Sequence, residues 1–300
     1  MGKRWKGWRG GEGREGRELI EKIRAKAREL LQDGRVNCFI GYEEGSRGRA
    51  RPAFIYDPQD AERLIWDERC AHNLVTYLHQ FKSPLRRGEE PPRVGILVKP
   101  CDSRSLNILF HEEQIERERV YVVGVTCDGV RTNGRPQERC RRCAERVPLV
   151  YDIVMGGVPN VLGRDDYADV TKLEQMSPRE RLAFWTKEFD RCIRCYACRQ
   201  ACPACYCFEC VAEQLDPAWM GIAIDLPQKQ FFHAMRAYHL AGRCSGCSAC
   251  EEACPMGIPL SLLNRKVARE VEALFGYKAG QDAETPPPLA TFKKEEQLPM

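Results

Sequence analysis

Apolar positions along this chain change period from segment to segment, and each period predicts a different element. Leu19, Ile20, Ile23, Ala27, Leu30 and Leu31 recur at helical spacing, and Gly34 follows as a stop signal. Val36 to Tyr42 reads as a short strand, residues 43–52 as a polar, glycine-rich loop, and Glu62–Phe81 as a helical stretch. The breaker-rich segment Arg86–Arg93 comes next. Val94–Lys99 (VGILVK) is then a continuous apolar run of strand length. Ser103–Glu113 is helical through Leu106, Leu109 and Phe110, and Val120–Thr126 (VYVVGVT) is a second run rich in valine. Strand, helix and strand in this order make a βαβ unit, which implies parallel strands joined by a right-handed crossover. Leu149–Met155 adds a third apolar run that starts just after Pro148, a residue tolerated at a strand's edge.

Residues 156–178 connect this half to a cysteine-rich half, which begins with a short helix near Arg179–Phe189. A further helical stretch, FFHAMRAYHLAG, carries His233 and His239, whose separation does not put them on one face. With His72, His79 and His111 scattered elsewhere, the histidines read as structural. In the last helix, Leu260, Leu263, Val267, Val271 and Leu274 form one stripe, with Pro259 just inside its start and Gly276 just past its end. The predicted fold class is α/β: a parallel-sheet domain followed by a helical, cysteine-rich domain.

Composition changes this picture in one respect: the 300 residues include 17 cysteines. The basic, glycine-rich N-terminus lacks the apolar stretch of a secretory signal. No apolar run reaches the length of a spanning helix, so the expected location is cytoplasmic, with no membrane span. Thiols stay reduced there, and so many of them argue for metal or redox chemistry over disulfides. The net charge of +4 is misleading. Residues 1–17 hold six basic side chains (Lys3, Arg4, Lys6, Arg9, Arg14, Arg17) and two acids (Glu12, Glu15), which accounts for the whole surplus. Trp5 and Trp8 lie among these basic residues, a pattern open to nucleic acid or a membrane surface; the simpler reading is a mobile or partner-docking terminus. No nucleic-acid partner is expected.

Two copies of one motif carry the chemistry. The first is Cys192-x2-Cys195-x2-Cys198-x3-Cys202-Pro203, and the second is Cys244-x2-Cys247-x2-Cys250-x3-Cys254-Pro255. Three closely spaced thiolates hold three irons of one 4Fe–4S cube, while the fourth cysteine is carried off on the next turn. In two-cluster ferredoxins that fourth cysteine ligates the other cluster. The expected sets are therefore Cys192, Cys195, Cys198 and Cys254 for one centre, and Cys244, Cys247, Cys250 and Cys202 for the other. Structural zinc generally uses two-cysteine knuckles and explains the duplicated run less well.

A second group of thiols lies in the sheet half. Cys101 directly follows the first strand of the βαβ unit, and Cys127 directly follows the second. If those strands are neighbours, both thiols emerge at the edge where open α/β sheets place ligands. Asp102 or Ser103 is expected to cap the helix that follows, whose positive N-terminus favours a thiolate. Cys140-x2-Cys143 completes a candidate third 4Fe–4S set. Spacing alone leaves open two buried core cysteines beside a zinc knuckle.

The run from Val94 to Gly157 resembles the beta subunits of the deazaflavin-reducing (coenzyme F-420) hydrogenases and dehydrogenases. The matching features are Pro100-Cys101, Cys127, Cys140/Cys143 and Asp152-Ile153…Gly156. Looser likeness extends to Gly41-Tyr42 and Asn73-Leu74…Tyr77-Leu78. The segment AGRCSGCSACEEACPMGIPL is similar to ferredoxin modules of formate dehydrogenase beta subunits and of heterodisulfide-reductase-associated proteins. The resemblance implies a 4Fe–4S cluster on Cys101, Cys127, Cys140 and Cys143, beside a flavin (FAD). One departure stands out: hydrogenase members of that family carry the ferredoxin module before the flavin domain, and here it follows.

The expected organisation is a basic tail (1–17), an α/β domain with the third cluster (18–160), a two-cluster ferredoxin-like domain (161–276) and a C-terminal tail (277–300). Cys205, Cys207 and Cys210 remain as a candidate extra metal site, as substitutes for an assigned ligand, or as small residues packed beside the cubes. Cys38 and Cys70 read as core. The expected function is that of an electron-transfer subunit in a larger oxidoreductase of anaerobic metabolism (a dehydrogenase, hydrogenase or heterodisulfide-reductase-like complex), with other redox subunits as partners and no residue assigned to substrate chemistry. The alternative is a self-sufficient FAD enzyme that reduces a deazaflavin or similar two-electron carrier. No GxGxxG follows a strand, so the flavin rests on the resemblance alone.

Overall fold

Strands buried on both faces need near-continuous apolar runs, and two such runs form the centre of the sheet. In a computed structural model of the chain, the described residues are 14–82, 90–132, 134–157, 165–285 and 287–288. The chain divides into two compact units, Met1–Asp166 and Tyr167–Met300.

The first unit opens with α1 (Arg14–Gln32), whose stripe of Ile23, Ala27 and Leu30 is fully buried. Residues 14–17, expected in the tail, belong to this helix, and the rest of the tail lies outside the described residues. The sheet strands are β1 (Cys38–Glu44), β2 (Ala50–Ile55), β3 (Val94–Val98), β4 (Val120–Val125) and, after the short pair β5 (Arg131–Thr132) and β6 (Arg135–Pro136), β7 (Ile153–Met155). Their order is β2-β1-β3-β4-β7, with β1, β3, β4 and β7 parallel and β2 antiparallel to β1. The α/β expectation holds, with one antiparallel edge added.

That edge strand starts at Ala50, inside the segment 43–52 read as a loop. Pro52 looks like a breaker, but β2 is an edge, where a residue with no N–H is tolerated. Glu62–Phe81 is not one helix. Two 3-10 segments, Pro58–Arg63 and Leu74–Phe81, flank an extended stretch in which the Ile65 N–H bonds the Tyr42 carbonyl. Asp57 and Asn73 cap those two segments from their side chains. The third apolar run also forms less strand than expected. The Leu149 N–H bonds the Ser103 hydroxyl, and pairing with β4 begins only at Ile153. Gly156 ends β7 at φ +109°, where an added Cβ would lie 2.1 Å from the Thr126 hydroxyl oxygen.

The crossover between β3 and β4 is α2 (Pro100–His111); α3 (Glu138–Arg141) is a single turn. The second unit contains α4 (Ala168–Glu174), α5 (Pro178–Asp190), α6 (Ala197–Gln200), α7 (Leu226–His239), α8 (Ala249–Glu252) and α9 (Leu260–Phe275). Ser177 and Glu180 close a capping box on α5, Asp225 caps α7, and Gly276 ends α9 in the left-handed conformation. Pro259 occupies the N-cap of α9, one residue earlier than expected. Arg265 clamps α9 to α4 with bonds of 2.9 and 2.8 Å to the Asp169 carboxylate. Beyond α9, Tyr277 and Ala279 are buried, so the chain packs there, and residues 289–300 of the expected tail lie outside the described residues. No helix among the described residues is long and apolar enough to cross a membrane.

Candidate metal centres

The two cysteine motifs of the second unit follow the same backbone path. In the first loop, Arg194 and Tyr196 have φ of 50° and 58°; in the second, Gly246 and Ser248 have 71° and 55°. Each pair brackets the middle cysteine, Cys195 or Cys247. Left-handed backbone at a residue with a Cβ costs about 1–2 kcal/mol, and such strain gathers where a loop is shaped for a ligand. The turn aims backbone amides at sulfur: the Arg194 N–H donates to Cys192 Sγ at 3.3 Å, and the Gly246 N–H does the same for Cys244. Tyr196 and Ser248 then start the single turns α6 and α8, which pack on each other and carry Cys198 and Cys250.

The fourth cysteines lie across from their own loops. The thiols that act on Cys192, beyond the dominant effect of burial, are Cys254 and Cys195. Burial lifts Cys198 to about 11, with Cys192, Cys254 and Cys195 adding to it and Arg236 opposing. Around the second loop, burial lifts Cys244 to about 11, helped by Cys247 and Cys202. Cys250 is pushed up by burial, then by Cys202, Cys244 and Cys247. One pocket is walled by Cys192, Cys195, Cys198 and Cys254, and otherwise mainly by apolar groups such as Phe232, Ile258 and Leu260. Four soft sulfur donors around a small apolar chamber suit an iron–sulfur cube. Among the described residues, no three His, Cys, Asp or Glu side chains are gathered as a lone metal ion would require.

The extra cysteines go to different surroundings. Cys205 donates to Cys202, which is pulled down to about 6 chiefly by that bond, while Cys205 itself is pushed up by it. Cys207 is exposed, and Cys210 packs beside the core of Phe189, Phe232 and Ile258. The long segment between the two motifs is tied back by the first loop. Arg194 donates to the Gly221 and Ala223 carbonyls, each at 2.6 Å, and Arg199 donates to Glu213 at 2.9 Å and to the Cys207 carbonyl at 3.2 Å.

Three residues near the cysteines carry no motif signal. Asn264 of α9 donates to Cys250 Sγ at 3.7 Å, a contact only the fold creates. His233, read from sequence as structural, does stack on Phe189 at 4.6 Å between ring centres. It also lines the cysteine pocket, and burial lowers its pKa to about 4. The third is Arg236, on the same face of α7 as His233.

In the first unit, β3 and β4 are parallel neighbours with Val98 opposite Gly124, so Cys101 and Cys127 leave one edge of the sheet. Cys127 and Cys140 share a buried cluster with Val130. The expected capping is not what occurs. Lys99 holds the N-cap of α2, Pro100 is its first residue, and Cys101 lies within the first turn. Asp102 instead forms a fully buried ion pair with Lys99 at 2.7 Å, and Ser103 bonds the Pro100 carbonyl. Lys99 Nζ also donates to the His72 carbonyl at 2.6 Å and to the Tyr42 hydroxyl.

The four candidate ligand thiols of this unit act on one another. Cys101 is pushed well up by burial and Asp102, with Arg139 and Lys99 opposing and Cys127 adding. Burial pushes Cys127 up to about 12, with Cys140 and Cys143 adding. Amides again address sulfur: the Gly129 N–H reaches Cys127 Sγ and the Val130 N–H reaches Cys140 Sγ, both at 3.3 Å. Arg146 donates to the Cys127 and Cys140 carbonyls at 3.3 and 3.0 Å. With Lys99 neutralised by Asp102, buried Arg139 and Arg146 still make these surroundings cationic, which fits an anionic thiolate cluster.

Duplicated three-cysteine loops with exchanged fourth cysteines define a class, the two-cluster iron–sulfur electron carriers. Residues 188–258 match the family model of the 4Fe-4S dicluster domain. The whole chain places it further: it belongs to the family of F420-dependent formate dehydrogenase beta subunits. It is 37% identical to the F420-dependent formate dehydrogenase subunit beta of Methanocaldococcus jannaschii, over 79% of this chain and 85% of the relative. Similarity also extends to the F420-dependent formate dehydrogenase 1 subunit beta of Methanococcus maripaludis, at 22% identity over 89% of this chain and 92% of that one. The chain is thus an iron–sulfur electron-transfer subunit of an oxidoreductase with a 4Fe–4S dicluster domain.

Proposed function

We propose that this chain passes single electrons between partner redox subunits and a two-electron carrier, using three 4Fe–4S centres. One is held by Cys192, Cys195, Cys198 and Cys254, the second by Cys244, Cys247, Cys250 and Cys202, and the third by Cys101, Cys127, Cys140 and Cys143. The observation that carries this reading is that Cys254 lines one pocket with Cys192, Cys195 and Cys198, while Cys202 lies near Cys244 and Cys250. For the third centre, support comes from the adjacent parallel strands that bring out Cys101 and Cys127, and from the buried cations around them. A 4Fe–4S centre, when bound, takes up and releases one electron at a time. The chain's own part is to direct the amides of Arg194, Gly246, Gly129 and Val130 at sulfur, to supply buried positive charge, and to keep water from most of the thiols.

The relatives are named as beta subunits of F420-dependent formate dehydrogenases, which supports a formate-oxidising complex as the setting and F420 as the two-electron carrier. Joining one-electron and two-electron steps calls for a flavin, the FAD of the family resemblance. The second reading, a self-sufficient FAD enzyme, draws on the same F420 dependence. Both are tested on the complex purified anaerobically. Formate should bleach the iron–sulfur absorbance of this chain, and denaturation should release FAD. Absence of bleaching with formate contradicts the complex reading. Bleaching without FAD release contradicts the flavin and with it the self-sufficient enzyme.

A further inference from the structure

Burying a guanidinium is unfavourable unless a counter-charge accompanies it, because burial removes it from water. Arg236 of α7 is only 6% exposed. Among the described residues, no carboxylate pairs with it. Its Nη2 donates to the Cys198 carbonyl at 3.1 Å, on the first loop. Its side chain also lies beside the thiols of Cys202 and Cys205, and Cys202 is the proposed ligand of the second centre. Its Nε is buried without a protein partner.

The other buried cations of this unit are placed differently. Arg199 pairs with Glu213, Arg265 with Asp169, Lys229 lies 3.5 Å from the Asp190 carboxylate, and Arg194 turns its terminal donors to carbonyls and the Tyr196 hydroxyl. Only Arg236 among these five touches cysteines of both sets while lacking a carboxylate. With no carboxylate beside it, the counter-charge open to Arg236 is that of the cysteine sites it faces, the first loop through the Cys198 carbonyl and the second set through Cys202. An arginine stays charged throughout the accessible pH range. Net charge and hydrogen bonds to sulfur are what tune iron–sulfur potentials.

We propose that Arg236 sets the reduction potentials of the two dicluster centres together, as one fixed buried cation shared by both ligand sets. Each centre becomes more negative on reduction, so the shared cation favours the reduced form of both. It thereby raises the two potentials in step and leaves the difference between them unchanged. Arg236 acts as a positioning residue for charge; the irons remain ligated by cysteine. The inference rests on the proposed ligand sets.

The test is an EPR-monitored redox titration of the full chain, purified anaerobically, as wild type, R236K and R236M. The wild type first tests the ligand reading by itself: without two spin-coupled 4Fe–4S centres, that reading fails before any variant is compared. Given the pair, R236M is expected to make each centre about tenfold harder to reduce, equivalent to about 59 mV for a one-electron couple. R236K should stay much closer to wild type. Unchanged potentials in R236M, a shift at only one centre, or equal shifts in R236K and R236M would each overturn the proposal. Should R236M lose its iron, Arg236→Gln takes its place, with the same outcomes read. Loss of iron from both uncharged variants and retention by R236K supports a charge role; loss from all three overturns it.

Discussion

The two units build cysteine sites in opposite ways. In the C-terminal unit the cysteines come from two contiguous loops that make their own backbone geometry and form part of the core, where Cys192, Cys198 and Cys250 pack with Phe189 and Phe232. In the N-terminal unit Cys101 and Cys127 stand at the ends of strands whose core, Ile96, Leu97, Val122 and Val123, is complete without them. A site that forms the core depends on its ligand for folding; a site mounted on a sheet borrows a scaffold that already exists. Metal binding to the first kind of site contributes directly to folding free energy.

The largest effect that can break this contrast comes from stripping the iron with a chelator under anaerobic conditions and following hydrogen exchange. The loops around α6 and α8 should lose their protection, while β1, β3 and β4 keep theirs. Equal loss in both units would contradict the contrast. Next in size are single ligand deletions. Cys101→Ala should remove about four irons and one EPR signal and leave the coupled pair intact. Cys254→Ala should remove one member of the pair, uncoupling the other. A disturbed pair in Cys101→Ala would mean that the sets are wrongly assigned.

Smaller effects probe the scaffolds themselves. Asp102→Ala leaves Lys99 buried and unpaired beside Tyr42 and His72, and should cost about 3–5 kcal/mol in denaturant unfolding of the sheet unit. A loss under about 1 kcal/mol would mean that water or a rearranged side chain replaces the carboxylate. Asp225→Ala removes the cap of α7, whose Oδ1 accepts the Gln228 N–H at 3.0 Å, and should cost about 1 kcal/mol without changing the iron content.

The same contrast explains what was legible in the sequence. The ferredoxin motifs could be read because all the information for each loop is local: spacing, a proline after the fourth cysteine, and a duplicate for comparison. The βαβ unit was legible because β3 and β4 are buried on both faces and so apolar throughout. β2 was not, since an edge strand tolerates Pro52 and polar residues on its open side. The helical pattern of Glu62–Phe81 misled because the chain leaves the helical path between the 3-10 segments, where the Ile65 N–H bonds the Tyr42 carbonyl of β1. Asp102 looked like a cap because acids favour helix starts, but Pro100 starts the helix earlier and a buried Lys99 claims the carboxylate. Asn264, His233 and Arg236 had no local signal at all, since helix packing alone brings them to the cysteines.

We propose that one chain holds two kinds of 4Fe–4S site: a self-shaped pair and a third centre mounted on a parallel sheet. Iron and acid-labile sulfide analysis of the anaerobically purified chain tests it most directly. The account predicts about twelve irons and as many sulfides per chain. About eight of each, the content of the ferredoxin pair alone, would contradict the sheet-borne centre.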